Sequence, residues 1–157
     1  MRVYYLFKIN DLFSKLYYNK TYYLYKMFEQ ISQSSKNDFI ISYRLFEQMA
    51  TPYNKTEINS NIYKTFSYNE NYVKTLNKHV IDDGIEKTKL TVYNTYIKIK
   101  TNQNLTAFFE ALEKEENIFV CDFNNKDYFW LNKVSPKYLY KIENNSKIII
   151  WKEDEIC

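Results

Sequence analysis

Glycine is nearly missing from this chain: Gly84 is the only one in 157 residues. A glycine-rich phosphate loop, a dinucleotide-binding fingerprint and a nucleophile elbow all need glycines where backbone approaches a ligand or turns sharply, so all three are excluded. Proline occurs twice, and no Pro- or Gly-rich stretch divides the sequence into parts. Cysteine is equally scarce. Cys121 stands inside an apolar run and Cys157 is the last residue, which is no disulfide framework, and with His79 as the single histidine no zinc-ligand spacing can be assembled. No apolar run approaches the roughly 18 residues of a membrane-spanning helix. The opening "MRVYYLFKIN" lacks the small-residue cleavage site of a secretory signal, so a cytoplasmic location is expected. An excess of one charge is missing too: the net charge is +3, and Lys alternates with Asp, Glu and Asn instead of forming a linear basic stripe.

What the chain has in quantity is aromatic side chains, 17 Tyr, 11 Phe and 2 Trp, within a composition that is 45% apolar and 26% charged. That balance suits a folded protein, and the length suits one domain over residues 1–157. In "RVYYLFKIN", Val3, Tyr5, Phe7 and Ile9 alternate with Tyr4, Leu6 and Lys8, the period of a central strand. Asn10 or Asp11 can cap a helix carrying Leu12, Phe13, Leu16 and Tyr17, and Thr21 offers a cap for a second with Leu24, Met27, Phe28 and Ile31 on one side. A third helix is expected from Asp38 to the stop at Thr51-Pro52. Ile62, Phe66, Tyr72, Val73 and Leu76 suggest a helix and a short strand, and Asp82-Asp83-Gly84 a turn. "KLTVYNTYIKIKT" predicts a hairpin about Asn94-Thr95, and "NLTAFFEALEKEE" a helix capped by Asn102 or Asn104. "NIFVCDF" predicts a strand buried on both faces, "NNKD" a turn, "YFWLN" a returning strand and "KIIIWKE" a last strand at an edge. The fold class is therefore α+β: a single mixed, mainly antiparallel sheet with helices packed against it.

Catalysis has little to build on. His79 in "NKHVIDD" reads as a surface histidine near a turn, with Asp82 and Asp83 the nearest groups that would orient it. Asp122 beside Cys121 reads as an Asx-type turn with Asn124, because strand alternation sends adjacent side chains to opposite faces. Glu113, Glu115 and Glu116 read as a solvated helix end. No cofactor and no metal are expected. On the N-terminal helices, Leu12, Leu16, Leu24, Phe28 and Ile31 can supply the core stripe, leaving Phe13, Tyr17 and Tyr18 over. Those rings are either water-tolerant surface aromatics or the dry centre of a protein interface.

The segments "MRVYYLFKINDLFSKLYYNKTYYLYKMFEQI" and "FVCDFNNKDYFWLN", with "YIKIKTNQNLTAFFEALEKEENIFVCDFN" between them, resemble the SirA family, sporulation inhibitors of replication. The resemblance covers roughly residues 1–45 and 88–138, leaves 142–157 as an extension, and places Phe129 where the family often has Gly. It implies a non-enzymatic protein that binds domain I of the replication initiator DnaA and blocks initiation during sporulation. It further implies that Phe13 and Tyr17 on the first helix, with Tyr18 beside them, meet DnaA, and that Gln48 and Met49 form a second contact. The alternative is a nucleic-acid-binding accessory protein using Lys and Tyr on the sheet. A third reading is a small enzyme of unknown reaction.

Overall fold

A computed structural model describes residues 1–34 and 39–131, with the backbone alone described at 39–41. In chain order the elements are β1 (Arg2–Lys8), α1 (Asp11–Tyr17), α2 (Thr21–Ser32), α3 (Phe39–Met49), α4 (Lys55–Phe66), β2 (Tyr72–Thr75), β3 (Lys78–Asp82), β4 (Lys87–Val92), β5 (Ile97–Thr101), α5 (Phe108–Leu112), β6 (Ile118–Asp122) and β7 (Asp127–Trp130). The strands form one sheet in the order β2-β3-β4-β5-β1-β6-β7, and every neighbouring pair is antiparallel. The fold is α+β.

Strand β1 lies inside the sheet, with β5 on one side and β6 on the other, and its alternation serves two cores. Tyr4 and Leu6 join Ile58, Ile62, Phe66, Ile97, Ile99 and Phe108 beneath α4 and α5. Phe7 points the other way, to Leu24, Tyr25, Phe28, Met49, Phe119 and Trp130 beneath α2 and α3. Phe28 is fully enclosed, its ring stacked on Phe7 at 4.2 Å between centroids and 6.2 Å from Phe119. Burying one such ring is worth about 1.5–3 kcal/mol, so these stacks set where α2 sits. All five residues of β6 are buried, as an unbroken apolar run flanked by strands and covered on both faces requires.

The hairpin turning at Asn94-Thr95 forms between β4 and β5, and "NNKD" turns β6 into β7 with Lys126 at φ 54°. Gly84 has φ 88° in the β3–β4 turn, a conformation open to glycine at little cost. Four expectations change. Helix α2 begins at Thr21 itself, with Lys20 as the residue before it and no side-chain cap, because no free side chain there reaches the first-turn amides. The helix after β5 shrinks to five residues: Asn102 instead accepts from the Lys87 amide, and Thr106 meets the Phe108 amide at the helix start. The stretch read vaguely between Tyr53 and Lys87 holds a twelve-residue helix, α4, capped by Asn54 through the Glu57 amide, and two strands. The sheet is antiparallel throughout its described pairs, not mixed. The Asp38 cap and the "KIIIWKE" strand lie outside the described residues.

Candidate functional site

Helix α1 has seven residues, too few to persist on propensity alone, so its attachments decide whether it forms. Asn10 begins it: the side-chain oxygen accepts from the Phe13 amide at 2.9 Å, and Asp11 places a carboxylate at the positive end of the helix dipole. The Asn10 amide donates to the Met49 carbonyl at 2.9 Å, the Asn10 side chain donates to the Gln48 carbonyl, and Ile9 bridges Ala50. Asn117 reaches back to Asp11 at 2.9 Å. At the far end, Trp130 Nε1 donates to the Tyr18 carbonyl at 3.2 Å, with the two rings 6.0 Å apart. The start of α1 is thereby fixed to the end of α3, and the end of α1 to the last strand of the β6–β7 hairpin.

This framework brings most of the sequence-predicted site residues together. Phe13 and Tyr17 stack at 5.7 Å, both half-buried against the core beneath α2. Tyr18 is 46% exposed, and Gln48 is exposed on the last turn of α3, next to Asn10. Met49 does not join them. At 0% exposure it is wholly inside the core, because its carbonyl and side chain are drawn in where α3 meets β1, and it offers no surface to a partner.

The division of α1 into core and leftover residues is reversed. Leu12 and Leu16 are 64% and 56% exposed, while Phe13 and Tyr17 turn inward on either side of Ser14, the buried residue of the helix. Leu12, Phe13, Leu16 and Tyr17 span about 140° of the helix, wider than the core can take, and spacing alone does not say which edge faces out. Sequence reasoning therefore missed Leu12 and Leu16 as surface residues. It also missed Tyr22 and Tyr23, which are exposed at the start of α2 with their rings 5.8 Å apart. The readable signal was the surplus width of the stripe.

The segment "CDFNNKDYFWLN" builds a clamp. Asp122 is fully buried and lies 3.6 Å from Arg2, which also meets Asp127 at 3.4 Å and donates to the Tyr4 hydroxyl at 2.8 Å. The Asn125 amide and side chain donate to the two Asp122 oxygens at 3.2 and 2.7 Å, so the turn closes on Asn125 instead of Asn124. Burial pushes the Asp127 carboxyl up, against the pull of Arg2. Glu29 on α2 takes Lys26 at 2.7 Å and the Tyr25 hydroxyl at 3.1 Å, and Lys126 approaches to 3.8 Å. Its hydrogen bond from Lys26 holds the Glu29 carboxylate below its usual range. Burial, then Glu29, pushes Tyr25 up to about 12. Burial likewise raises the Cys121 thiol well above its ordinary value, which keeps it protonated and unreactive.

His79 is not on the surface. It is 0% exposed; the Tyr72 hydroxyl lies 2.6 Å from Nδ1, and Nε2 lies 2.7 Å from Asn59 Oδ1. Asn59 uses its amide nitrogen on Asn77, so its oxygen must accept from Nε2–H, and Nδ1 then accepts from Tyr72. Neither Asp82 nor Asp83 orients it, since both are exposed at the turn. Among the described residues no group of three or more His, Cys, Asp or Glu could hold a metal ion. No helix among them is long and apolar enough to cross a membrane.

Helix α1 thus combines a fixed seat with two exposed leucines one turn apart, Leu12 and Leu16, on a small α+β sheet protein. A family model for the sporulation inhibitor of replication protein SirA matches residues 2–135, the middle of the chain included, and the chain belongs to that family. Its members are regulatory inhibitors of replication rather than enzymes. No curated protein matches the chain.

Proposed function

We propose that the protein inhibits chromosome replication by binding domain I of the initiator DnaA through α1, covering a surface the initiator needs for assembly. Leu12 and Leu16 supply the dry centre with Tyr18 beside them, the half-buried Phe13 and Tyr17 present the edges of their rings, and Gln48 gives a polar edge. The observation that carries this reading is the exposure of Leu12 and Leu16, one turn apart on a helix whose other side is already committed to the core. Apolar side chains grouped this way contribute more when a partner covers them than they do in water, and a few central residues usually dominate such an interface. The stacked Phe13–Tyr17 pair supports the surface from below, so the contact is preorganised and little side-chain entropy is lost on binding.

Titration of the purified chain with DnaA domain I tests it by calorimetry. Tyr17→Ala is expected to weaken binding by roughly 2 kcal/mol or more, about thirtyfold, and Phe13→Ala similarly. Because both rings touch the core, Leu12→Ser and Leu16→Ser form the control set: exposed already, they should leave the thermal midpoint within a few degrees and still weaken binding. Full affinity in the Leu12→Ser/Leu16→Ser double variant would remove α1 from the contact.

A further inference from the structure

Folding gathers lysines that the sequence scatters. Residues directly opposite on neighbouring strands share a face, so the register puts Lys78, Lys87, Lys89, Lys98 and Lys100 on the same side as Tyr5 and Phe7. Lys98 lies opposite Tyr5 and Lys100 opposite Val3; Lys89 faces Lys100, and Lys78 and Lys98 flank Thr91. Among the described residues, helices α2 and α3 pack over β1, β6 and β7 and not over this half. Four of the five lysines are exposed and Lys98 is half-buried. None makes an ion pair among the described residues, and Asp82, opposite Lys87, is the one carboxylate that β2 to β5 place there. Like charges facing each other, as Lys89 and Lys100 do, destabilise a sheet unless an anion lies over them.

The basic half-face runs into a cleft of about 640 Å³ between the sheet and α2–α3, walled by Tyr5, Phe28, Phe46, Tyr96 and Phe123. Lys98 belongs to both: it lines the cleft and its ammonium sits 5.8 Å from the centre of the Tyr5 ring. Among the described residues no carboxylate lines the cleft, and Thr95 and Asn124 offer hydrogen-bonding groups along it. We propose that this surface binds single-stranded nucleic acid, with phosphates along the lysines and a base stacked in the aromatic cleft. An acidic peptide would use the lysines and leave the cleft empty. A duplex keeps its bases paired and cannot enter.

Fluorescence polarisation of the full chain with a labelled oligothymidylate of about 15 nucleotides tests the proposal across salt from ~20 to ~200 mM. Micromolar binding at low salt is expected, with a log–log salt slope of about −2 if three phosphates are neutralised. Lys89→Glu/Lys100→Glu should lower affinity tenfold or more, and Tyr96→Ala about fivefold or more, with unchanged circular dichroism. Leu12→Ser/Leu16→Ser should bind the oligonucleotide as the parent does, so this surface and the initiator-binding helix stand or fall separately. Absence of binding at ~20 mM salt overturns the proposal. So does equal competition by polyglutamate, equal affinity for a duplex, or insensitivity to the two lysine reversals.

Discussion

His79 shows how burial changes what a residue can do. In water a histidine is half protonated near pH 6.5, whereas enclosure between Tyr72 and Asn59, and then the nearby Lys74 charge, lower this one to about 4. The folded form keeps the ring neutral, so below pH 6.5 the unfolded chain takes up a proton that the native chain refuses. The stabilisation is complete above pH 6.5 and is lost as pH falls toward 4. Thermal melts are therefore expected to drop by several degrees across that window beyond any general acid effect. His79→Gln, lower in stability at neutral pH, should show a flatter profile there; parallel profiles for the two proteins would refute the buried neutral tautomer. From the sequence this histidine looked like a turn residue, since its partners stand 7 and 20 positions away and are supplied by β2 and α4.

Among elements, the β6–β7 hairpin and α1 depend on each other. Arg2, at the start of β1, ties Asp122 and Asp127 at the hairpin's turn, while Trp130 at its end holds the α1 terminus through Tyr18. Removing Asp122 takes a buried carboxylate from Arg2 and opens the turn that it closes on Asn125, so Asp122→Ala should destabilise by about 2 kcal/mol, read from urea unfolding. Since the hairpin carries Trp130, the same variant should also loosen α1 and weaken partner binding before global unfolding. A destabilised variant with intact binding would uncouple the two elements. The strands were legible because alternation along "RVYYLFKIN" and "YIKIK" and the solid apolar "IFVC" each have one extended solution. The helices were legible in existence and less so in extent: α5 starts late because the loop around Thr106 is held by Glu86, a contact from a distant turn.

Across the whole molecule, the sheet separates two apolar cores, one beneath α4 and α5 and one beneath α2 and α3. Ile62 lies wholly in the first and Phe28 wholly in the second. Ile62→Val and Phe28→Leu should each cost about 1 kcal/mol, and the double variant their sum to within about 0.5 kcal/mol. A clear departure from the sum in chemical unfolding would mean that the layers communicate through the sheet.

The sequence by itself determined the fold class, the central place of β1 and the two hairpins, "CDFNNKDYFWLN" among them, because these follow from periodicities of two and 3.6 and from turn chemistry within a few residues. Its motifs also pointed to the family. Only the tertiary structure decided which side of α1 meets water, that Met49 is sealed while Gln48 is not, that His79 is core, and that five separated lysines share a face. Each of those depends on which neighbour packs against a residue from far along the chain, and an amphipathic stripe or an alternating strand is satisfied equally well by either orientation until that neighbour arrives.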